Sequence, residues 1–407
     1  MILLSILISS GMIKGNKMES AEERYSSSVV QYTDEWESLQ QHPDPEWFRD
    51  AKFGIYTHWG PYSVPAWGNE WYARRMYWDK KTKHGNFFVF HKDRYGDPAD
   101  FGYKDLIPLF TADKFNADEW ADLFVKSGAK FAGPVAEHHD GFAMWDSDLT
   151  KWDAMDMGPH RDIVGELGKA IKEREMKFVT SFHHARKWFW YEVTYTKDKR
   201  HDTEDPKYAG ANKIYPPVHT VKDSPTREYM QAWEDKIIEV IDKYEPDLLW
   251  FDGGLQKEKF WRSSQQKFDG HKRSFLSYYY NKGLKWGKEV GVTYKHEDLP
   301  QGAGILDFER GRNDTLSKII WLTDTSIDEK SWSHVEDPQY KPVNELVDIL
   351  VDIVSKNGCL LLNVGPRADG TFPDEVKKRL LGLGDWLKVN GEAIYGTRPW
   401  VKYGEGP

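Results

Sequence analysis

Apolar residues in this chain gather in short, dense runs that end in polar or ionisable residues. Eight such runs can be marked: 52-KFGIYTHWG-60, 130-KFAGPVAEHHDGF-142, 177-KFVTSFHHA-185, 247-DLLWFDGG-254, 289-EVGVTYKHE-297, 304-GILDFERG-311, a weaker 319-IIWLTDTSI-327, and 358-GCLLLNVGP-366. Their length and their β-branched and aromatic content read as strands buried on both faces. Helical periodicity separates several of them, in 117-ADEWADLFVKSGA-129, 162-DIVGELGKAIKEREM-176 and 225-PTREYMQAWEDKIIEVIDKYEP-246. The last begins with Pro225, suited to a first helical turn. A helix from about residue 340 leads into the eighth run, and 373-PDEVKKRLLGLGDWLKVNG-391 follows it, closing on glycine.

Eight strands alternating with helices predict an α/β fold, a (β/α)8 TIM-like barrel. The helices flanking strands five to seven are weakly marked, so irregularity is expected there. An open doubly wound sheet is the alternative, but no G-x-G-x-x-G or G-x-x-x-x-G-K-[ST] loop follows any strand. The barrel is expected over residues 35–400, after a lead-in (1–34) and before a short tail (401–407). The charged insertion 196-TKDKRHDTEDPKYAGANKIYPP-217 is expected to be a solvated surface loop.

In such barrels the chemistry lies at the C-terminal strand ends. Here those ends carry His58; His138, His139 and Asp140; His183 and His184; Asp252; His296 and Glu297; Glu309 and Arg310; and Asp324. Two readings compete. A metal-dependent hydrolase would take His and carboxylate ligands from several strands. Against it, neighbouring histidines on a strand point to opposite faces, and neither H-x-H on the first strand nor H-E-x-x-H occurs. A glycosidase needs one ionised carboxylate and one protonated carboxyl. Asp252, closing an apolar strand before two glycines, suits the nucleophile, and Glu309, closing 305-ILDFERG-311, suits the acid/base. Arg310 is expected to bind substrate or to brace a loop. His183 joins the expected sugar contacts, and no metal or other cofactor is required.

Composition sharpens this picture. The chain has 407 residues and a formal net charge of −9, and it shows no basic stripe, which argues against a nucleic-acid partner. Its 19 Trp, 21 Tyr and 20 Phe suit either dense packing or stacking against sugar faces. Trp59, Trp67 and Trp71 are the candidates for such a wall. The single cysteine, Cys359, permits no internal disulfide and reads as a small buried hydrophobe. The start, 1-MILLSILISSGMIKGNK-17, resembles a short secretory segment too short to span a bilayer, followed by a disordered stretch to residue 34. Export (secreted or periplasmic) is therefore expected, with a cytoplasmic protein as the alternative, and no membrane partner.

Four segments carry a family resemblance: 47-WFRDAKFGIYTHWGPYSVPAWGNEWYARRM-76, 137-EHHDGFAMWDS-147, 246-PDLLWFDGG-254 and 356-KNGCLLLNVGPRADGTFP-373. They resemble, in order, the signature blocks of the α-L-fucosidases, glycoside hydrolase family 29. The resemblance implies a retaining exo-glycosidase on a (β/α)8 barrel, acting on fucosylated oligosaccharide or polysaccharide. It implies Asp252 as nucleophile and His58, Glu70, Trp71, His138 and His139 as sugar-binding residues, with Asp140 orienting an imidazole. Some members place the acid/base in W-E-x-x-T-S-I; here 321-WLTDTSI-327 has Leu322 at that position. Glu309 is therefore assigned the role, with Glu70, Glu297 and Asp324 in reserve. Members usually continue into a C-terminal β-sandwich, which is not expected here. The alternatives are an α-L-galactosidase, a metal-dependent barrel hydrolase, and a sugar-binding barrel that has lost catalysis.

Overall fold

Eight parallel strands close on themselves in the order in which they occur in the chain. In this computed structural model, which describes residues 31–195, 201–253 and 265–404, they are β1 (Phe53–Thr57), β2 (Phe131–Glu137), β3 (Lys177–Phe182), β4 (Leu248–Phe251), β5 (Gly291–Lys295), β6 (Ile305–Asp307), β7 (Trp321–Ser326) and β8 (Gly358–Val364). All eight coincide with the predicted runs. β1 pairs with both β2 and β8, which closes the ring.

Side-chain alternation divides each strand between two environments. One set fills the barrel interior: Tyr56, Phe131, Val135, Val179, Leu248, Trp250, Ile305, Leu322, Cys359 and Leu361 form a single buried cluster. Phe48, from the helix Glu46–Ala51, plugs its lower end, and its carbonyl accepts a hydrogen bond from Cys359 Sγ at 3.3 Å. The other set faces the helices: α1 (Ala117–Lys126), α2 (Ile163–Glu173), α3 (Arg227–Tyr244), α4 (Gln265–Trp286), α5 (Val343–Ser355) and α6 (Asp374–Asn390). Side-chain caps at Asn116, Asp162 and Thr226 satisfy free N–H groups that begin α1, α2 and α3. Pro225 thus stands just outside α3 rather than in its first turn.

Elsewhere the structure departs from the expected pattern. Helix α4 has no counterpart among the predicted helices, because its Phe275, Leu276, Tyr279 and Tyr280 are scattered among charged residues and interrupted by Gly270 and Gly283. The described part of the charged insertion is packed: Ile214 and Tyr215 are buried, and Asp202 accepts hydrogen bonds from Tyr77 and Tyr215. The end of the lead-in is docked rather than disordered, with Tyr32 buried and its carbonyl accepting from Ser277 Oγ at 2.7 Å. The predicted secretory segment lies outside the described residues. Among those residues no helix covers the connections β5–β6 or β6–β7, which is the irregularity the sequence leads one to expect.

At the tip of β2 the register against β3 shifts between Val135 and Glu137, an irregularity that re-aims the chain that follows. Glu137 itself turns away from the mouth and is fully buried, 2.6 Å from Lys236 of α3 and 3.7 Å from Lys187. Burial opposes its charge, but Lys236 and then Lys187 outweigh that effect and hold its carboxyl at about 2. Removing one partner of such a pair strands the other charge. Lys236→Met should therefore lower stability by about 3–5 kcal/mol in urea melts at neutral pH. Because the folded-state pKa is depressed, this contribution is complete above the ordinary value of 4.5 and is lost as pH falls through about 2. The gap between variant and wild type should narrow correspondingly in acid.

Candidate active site

Two residues beyond an interior hydrophobe, five of the strands turn polar. Val179 is followed by Ser181, Trp250 by Asp252, Ile305 by Asp307, Leu322 by Asp324 and Leu361 by Asn363, all buried. Buried polar groups are stable only when partnered, and Asp252, Asp307, Asp324 and Asn363 find their partners around the barrel mouth.

Asp252 leaves β4 with its N–H bonded to the Phe182 carbonyl at 3.0 Å, and Gly253 N donates to its Oδ1 at 2.8 Å. Three side chains converge on the carboxylate: His139 Nε2 at 3.3 Å, Lys295 Nζ at 3.5 Å and Arg186 Nη1 at 3.9 Å. Burial alone would raise its pKa. Arg186 and Lys295, with the His139 bond, overcome burial and hold it well below the usual carboxylate range.

Lys295 is the hub. Its buried ammonium also lies 3.1 Å from Glu309, 3.3 Å from Asp324 and 3.9 Å from Asp307. Burial disfavours its charge, but Asp324 and Asp252, followed by the other two acids, raise its pKa strongly. Asp324 also accepts from Tyr56 OH at 2.9 Å, and its backbone N–H donates to Asp307 at 3.0 Å. Burial and then Asp324 push Asp307 well upward, and burial with Glu309 pushes Asp324 upward, despite Lys295.

The opposite wall consists of imidazoles. His58 Nδ1 meets Asn363 Oδ1 at 2.8 Å, while Asn363 Nδ2 donates to the Trp332 carbonyl, so the amide oxygen accepts and the His58 proton sits on Nδ1. The Nε2 atoms of His58 and His183 are 3.2 Å apart, and with His58 protonated on Nδ1 the proton between them belongs to His183. Burial lowers His58 to about 3 and places His138 and His183 well below their ordinary value, so all three rings are neutral at working pH. One nitrogen from each of the three lies within 4.8 Å of the others.

Asp252, Arg186, Lys295, Glu309, Asp324, Tyr56, His58, His138, His139 and His183, with Glu70, Trp71, Trp250 and Trp332, line one cavity enclosing about 350 Å³, including space open to solvent. A larger cavity lies elsewhere, on the flank of β5 and β6, and it gathers His296, Glu297 and Asp298 but neither Asp252 nor the imidazoles. Convergence of ionisable groups, not size, marks the site.

Of the sequence candidates, Asp252, Glu309, His58, Glu70, Trp71, His138, His139 and His183 meet in this cavity, together with Asp324. His138 and His139 both reach it, contrary to the expected alternation, because β2 ends at Glu137 and both lie beyond the pleat. His184 does alternate away, to the Trp233 carbonyl. Trp59 is a correction: it is buried among Phe110, Phe115 and Trp120, with its Nε1 donating to the Arg367 carbonyl. Trp67 stacks on Phe90, away from the cavity. Arg310 does not line the cavity either; it bonds the carbonyls of Asp328 and Glu329 and lies 4.7 Å from the Trp332 ring, so it braces the loop. Glu297 is exposed on the flank. Asp140 orients no imidazole; it accepts from Tyr103 OH at 2.5 Å, and burial raises its pKa to about 7. The His139 Nδ1 proton goes instead to the His183 carbonyl at 2.5 Å.

The residues missed by sequence reasoning include Lys295, Arg186, Asn363, Trp250 and Trp332, and also Tyr56 and Asp307. Strand parity was the available signal for three of them. Lys295 lies two positions after Thr293 on β5, Asn363 two after Leu361, and Trp250 two after Leu248.

The sequence profile described as Alpha-L-fucosidase matches residues 19–392. The chain belongs to the α-L-fucosidase family, glycoside hydrolase family 29. It is similar to the tissue alpha-L-fucosidase of Rattus norvegicus, 34% identical over 91% of this chain and 73% of that protein. It is also similar to the plasma alpha-L-fucosidase of Homo sapiens, 35% identical over 92% and 74%. Among solved structures it resembles the Thermotoga maritima alpha-fucosidase in complex with fucose, with TM-score 0.73, 35% identity, and coverage of 91% of this chain and 80% of that one. The same bacterial enzyme with a mechanism based inhibitor matches at TM-score 0.71 and 34% identity, again covering 91% and 80%. The protein is thus a glycoside hydrolase on a (β/α)8 barrel. In this α-L-fucosidase family member, Leu322 is buried in the barrel interior below Asp324 and presents nothing to the cavity.

The charges around Asp252 predict the effect of removing the hub. Lys295 lowers the Asp252 pKa, so Lys295→Met should raise it and move the acid limb of the kcat/KM–pH profile to higher pH. The rate at the optimum should fall about 100-fold, the scale of losing one preorganised charge contact. A pH–rate series on wild type and variant checks both effects.

Proposed function

We propose that this chain is a retaining exo-α-L-fucosidase in which Asp252 is the nucleophile and Glu309 the acid/base, acting on terminal fucosyl residues of oligosaccharide or polysaccharide. The observation that carries this reading is the ammonium of Lys295, which touches Asp252 Oδ1 at 3.5 Å and Glu309 Oε2 at 3.1 Å. Those two oxygens therefore lie no farther apart than the two contacts laid end to end. That limit suits the ~5–5.5 Å separation of a retaining pair and leaves almost no room for the ~6.5–9.5 Å of an inverting one.

The roles divide by environment. Asp252 is buried and held ionised, ready to attack the anomeric carbon. Glu309 stands half-exposed at the rim, where a leaving oxygen and then a water can reach it. In the first step Asp252 Oδ forms a bond to the anomeric carbon as the glycosidic C–O bond breaks and the Glu309 proton passes to the departing oxygen. In the second, Glu309 takes a proton from water, the water oxygen bonds to the anomeric carbon, and the ester to Asp252 breaks. Lys295 contacts both carboxylates, so when esterification removes the charge of Asp252 the ammonium remains beside the newly ionised Glu309.

The cavity suits one sugar ring. Below it the barrel is filled by Tyr56, Trp250, Leu322 and Leu361, so a glycan cannot thread through and only a terminal residue can enter. A sugar hydroxyl that entered between the His58 and His183 Nε2 atoms could accept from His183 and donate to His58, the His58 proton staying on the Asn363 side. Trp71, Trp250 and Trp332 offer faces to the apolar side of the ring and its methyl group. A wall of this kind discriminates weakly against one added hydroxyl, so L-galactosides are the nearest competing substrates. The bacterial relative solved with fucose and with a mechanism based inhibitor supports both sugar and mechanism.

Hydrolysis of an aryl α-L-fucoside tests the reading. The wild type should release the aglycone with retention, followed by NMR of the first-formed anomer. Asp252→Gly should lose turnover by about 10⁴-fold or more and recover it with azide as an inverted fucosyl azide. Glu309→Gln should lose about 10²–10⁴-fold, least on the most activated leaving groups. Wild-type inactivity on fucosides and L-galactosides alike would leave a sugar-binding barrel instead. The trio His58, His138 and His183 is the feature that favours a metal-dependent reaction, and loss of activity on chelation would support it.

A further inference from the structure

Lys295 Nζ stands within 3.9 Å of Asp252, Asp307, Asp324 and Glu309. Arg186 and His139 reinforce it at Asp252. Among the described residues, Lys295 is the cation that meets the other three acids. One positive charge beside three carboxylates leaves an excess of negative charge, and burial makes that excess costly. A proton held within the group relieves it, and the reaction needs one there.

Two of the three acids can pass a proton to a bound sugar. Asp307 does not line the catalytic cavity, and both its oxygens take N–H donors: Oδ1 from the Asp324 backbone at 3.0 Å, Oδ2 from Trp250 Nε1 at 3.2 Å. Asp324 and Glu309 both line it. Asp324 is buried; its Oδ2 accepts from Tyr56 OH at 2.9 Å, while its Oδ1, 3.3 Å from the ammonium, accepts no hydrogen bond. Glu309 Oε2 lies 3.1 Å from the same ammonium. The two oxygens are therefore no farther apart than these contacts laid end to end, close enough for ionisation of one carboxyl to oppose that of the other. Burial, and then the charge of Glu309, raise the Asp324 carboxyl; Lys295 opposes them, with smaller help from Asp307 and Tyr56. Arg310 gives its backbone N–H to the Asp324 carbonyl at 2.8 Å, but its guanidinium turns to the carbonyls of Asp328 and Glu329. From β8 the residue paired with Asp324 is the uncharged Leu361.

We propose that Asp324 is a positioning residue for the catalytic proton: it and Glu309 titrate as one pair across the Lys295 ammonium, and Asp324 thereby sets the upper pH limit of the reaction. The proposal rests on the fucosidase reading, with Glu309 as acid/base. An ammonium at 3.1 Å favours an ionised carboxylate, yet the departing oxygen needs a proton from Glu309. An anionic Asp324 on the same ammonium offsets that preference and keeps the proton where the glycosidic oxygen can take it. As the C–O bond breaks, the proton passes from Glu309 to that oxygen. The pair then holds two negative charges beside one ammonium until water returns a proton to Glu309 in the second step.

The test is a set of kcat/KM–pH profiles for wild type, Asp324→Asn and Tyr56→Phe on two substrates. One is 4-methoxyphenyl α-L-fucoside, whose phenol needs a proton to depart; the other is α-L-fucosyl fluoride, whose fluoride departs with little help. On the aryl fucoside Asp324→Asn should move the basic limb about one unit to lower pH, a roughly 10-fold loss on that side. Tyr56→Phe should move it to higher pH, because the lost hydroxyl favoured the ionised Asp324. With the fluoride neither variant should shift that limb from its wild-type position, and turnover there reports that each variant is folded. Limbs that stay in place on the aryl fucoside, move in the same direction in both variants, or move alike on both substrates overturn the proposal. Asp324 is then only a counter-ion of Lys295, and the fucosidase reading stands. If Glu309→Gln keeps the wild-type limb on the aryl fucoside, the acid/base assignment fails and the proposal with it. If the wild type turns over neither substrate, the fucosidase reading itself fails.

Discussion

The mouth of this barrel is organised around one buried ammonium. Lys295 Nζ sits within 3.9 Å of four carboxyl groups contributed by β6, β7 and the residues just beyond β4 and β6. Four acids this close would repel one another and be driven to their protonated forms by burial. The ammonium relieves that repulsion, with Arg186 reinforcing it at Asp252. Where the cations are too few, at Asp307 and Asp324, burial prevails and the carboxyl pKa values rise. The same environment thus holds the Asp252 carboxyl low while it raises those of its deeper neighbours.

The neutral side of the site depends on the same burial. His58, His138 and His183 have lost enough water to stay uncharged, and Asn363 sets the His58 tautomer by presenting its amide oxygen. Two kinds of electrostatics therefore line opposite walls: fixed charge around Asp252, and uncharged imidazoles across from it. The apolar plug below gives both walls a rigid footing.

Strand positions are legible because apolar runs of five or six residues, bounded by polar ones, have few other ways to bury themselves. Helix α4 is not, since its apolar residues follow no clean stripe and form a face only through packing on the preceding helix, α3. Asp252 and Glu309 stand out because each closes an apolar run. Lys295 is hidden by 296-HE-297, which looks more reactive in one dimension but turns outward to the flank. Trp59 and Arg310 are misplaced by sequence reasoning for a related reason. Adjacency to a motif says nothing about which way a side chain leaves the backbone.

By itself the sequence determined the eightfold strand repeat, the placement of ionisable residues at the strand ends, and the family blocks around Asp252 and the paired histidines. Those properties are local: hydrophobic runs, turn-permitting glycines and motif spacing all act over a few residues. Tertiary structure alone decided which ionisable groups share a charge environment, and hence which are ionised. Closing the ring of strands put Lys295 between Asp252 and Glu309. That contact depends on the register of β4, β5 and β6 and on the burial they create together, and no local stretch of sequence encodes either.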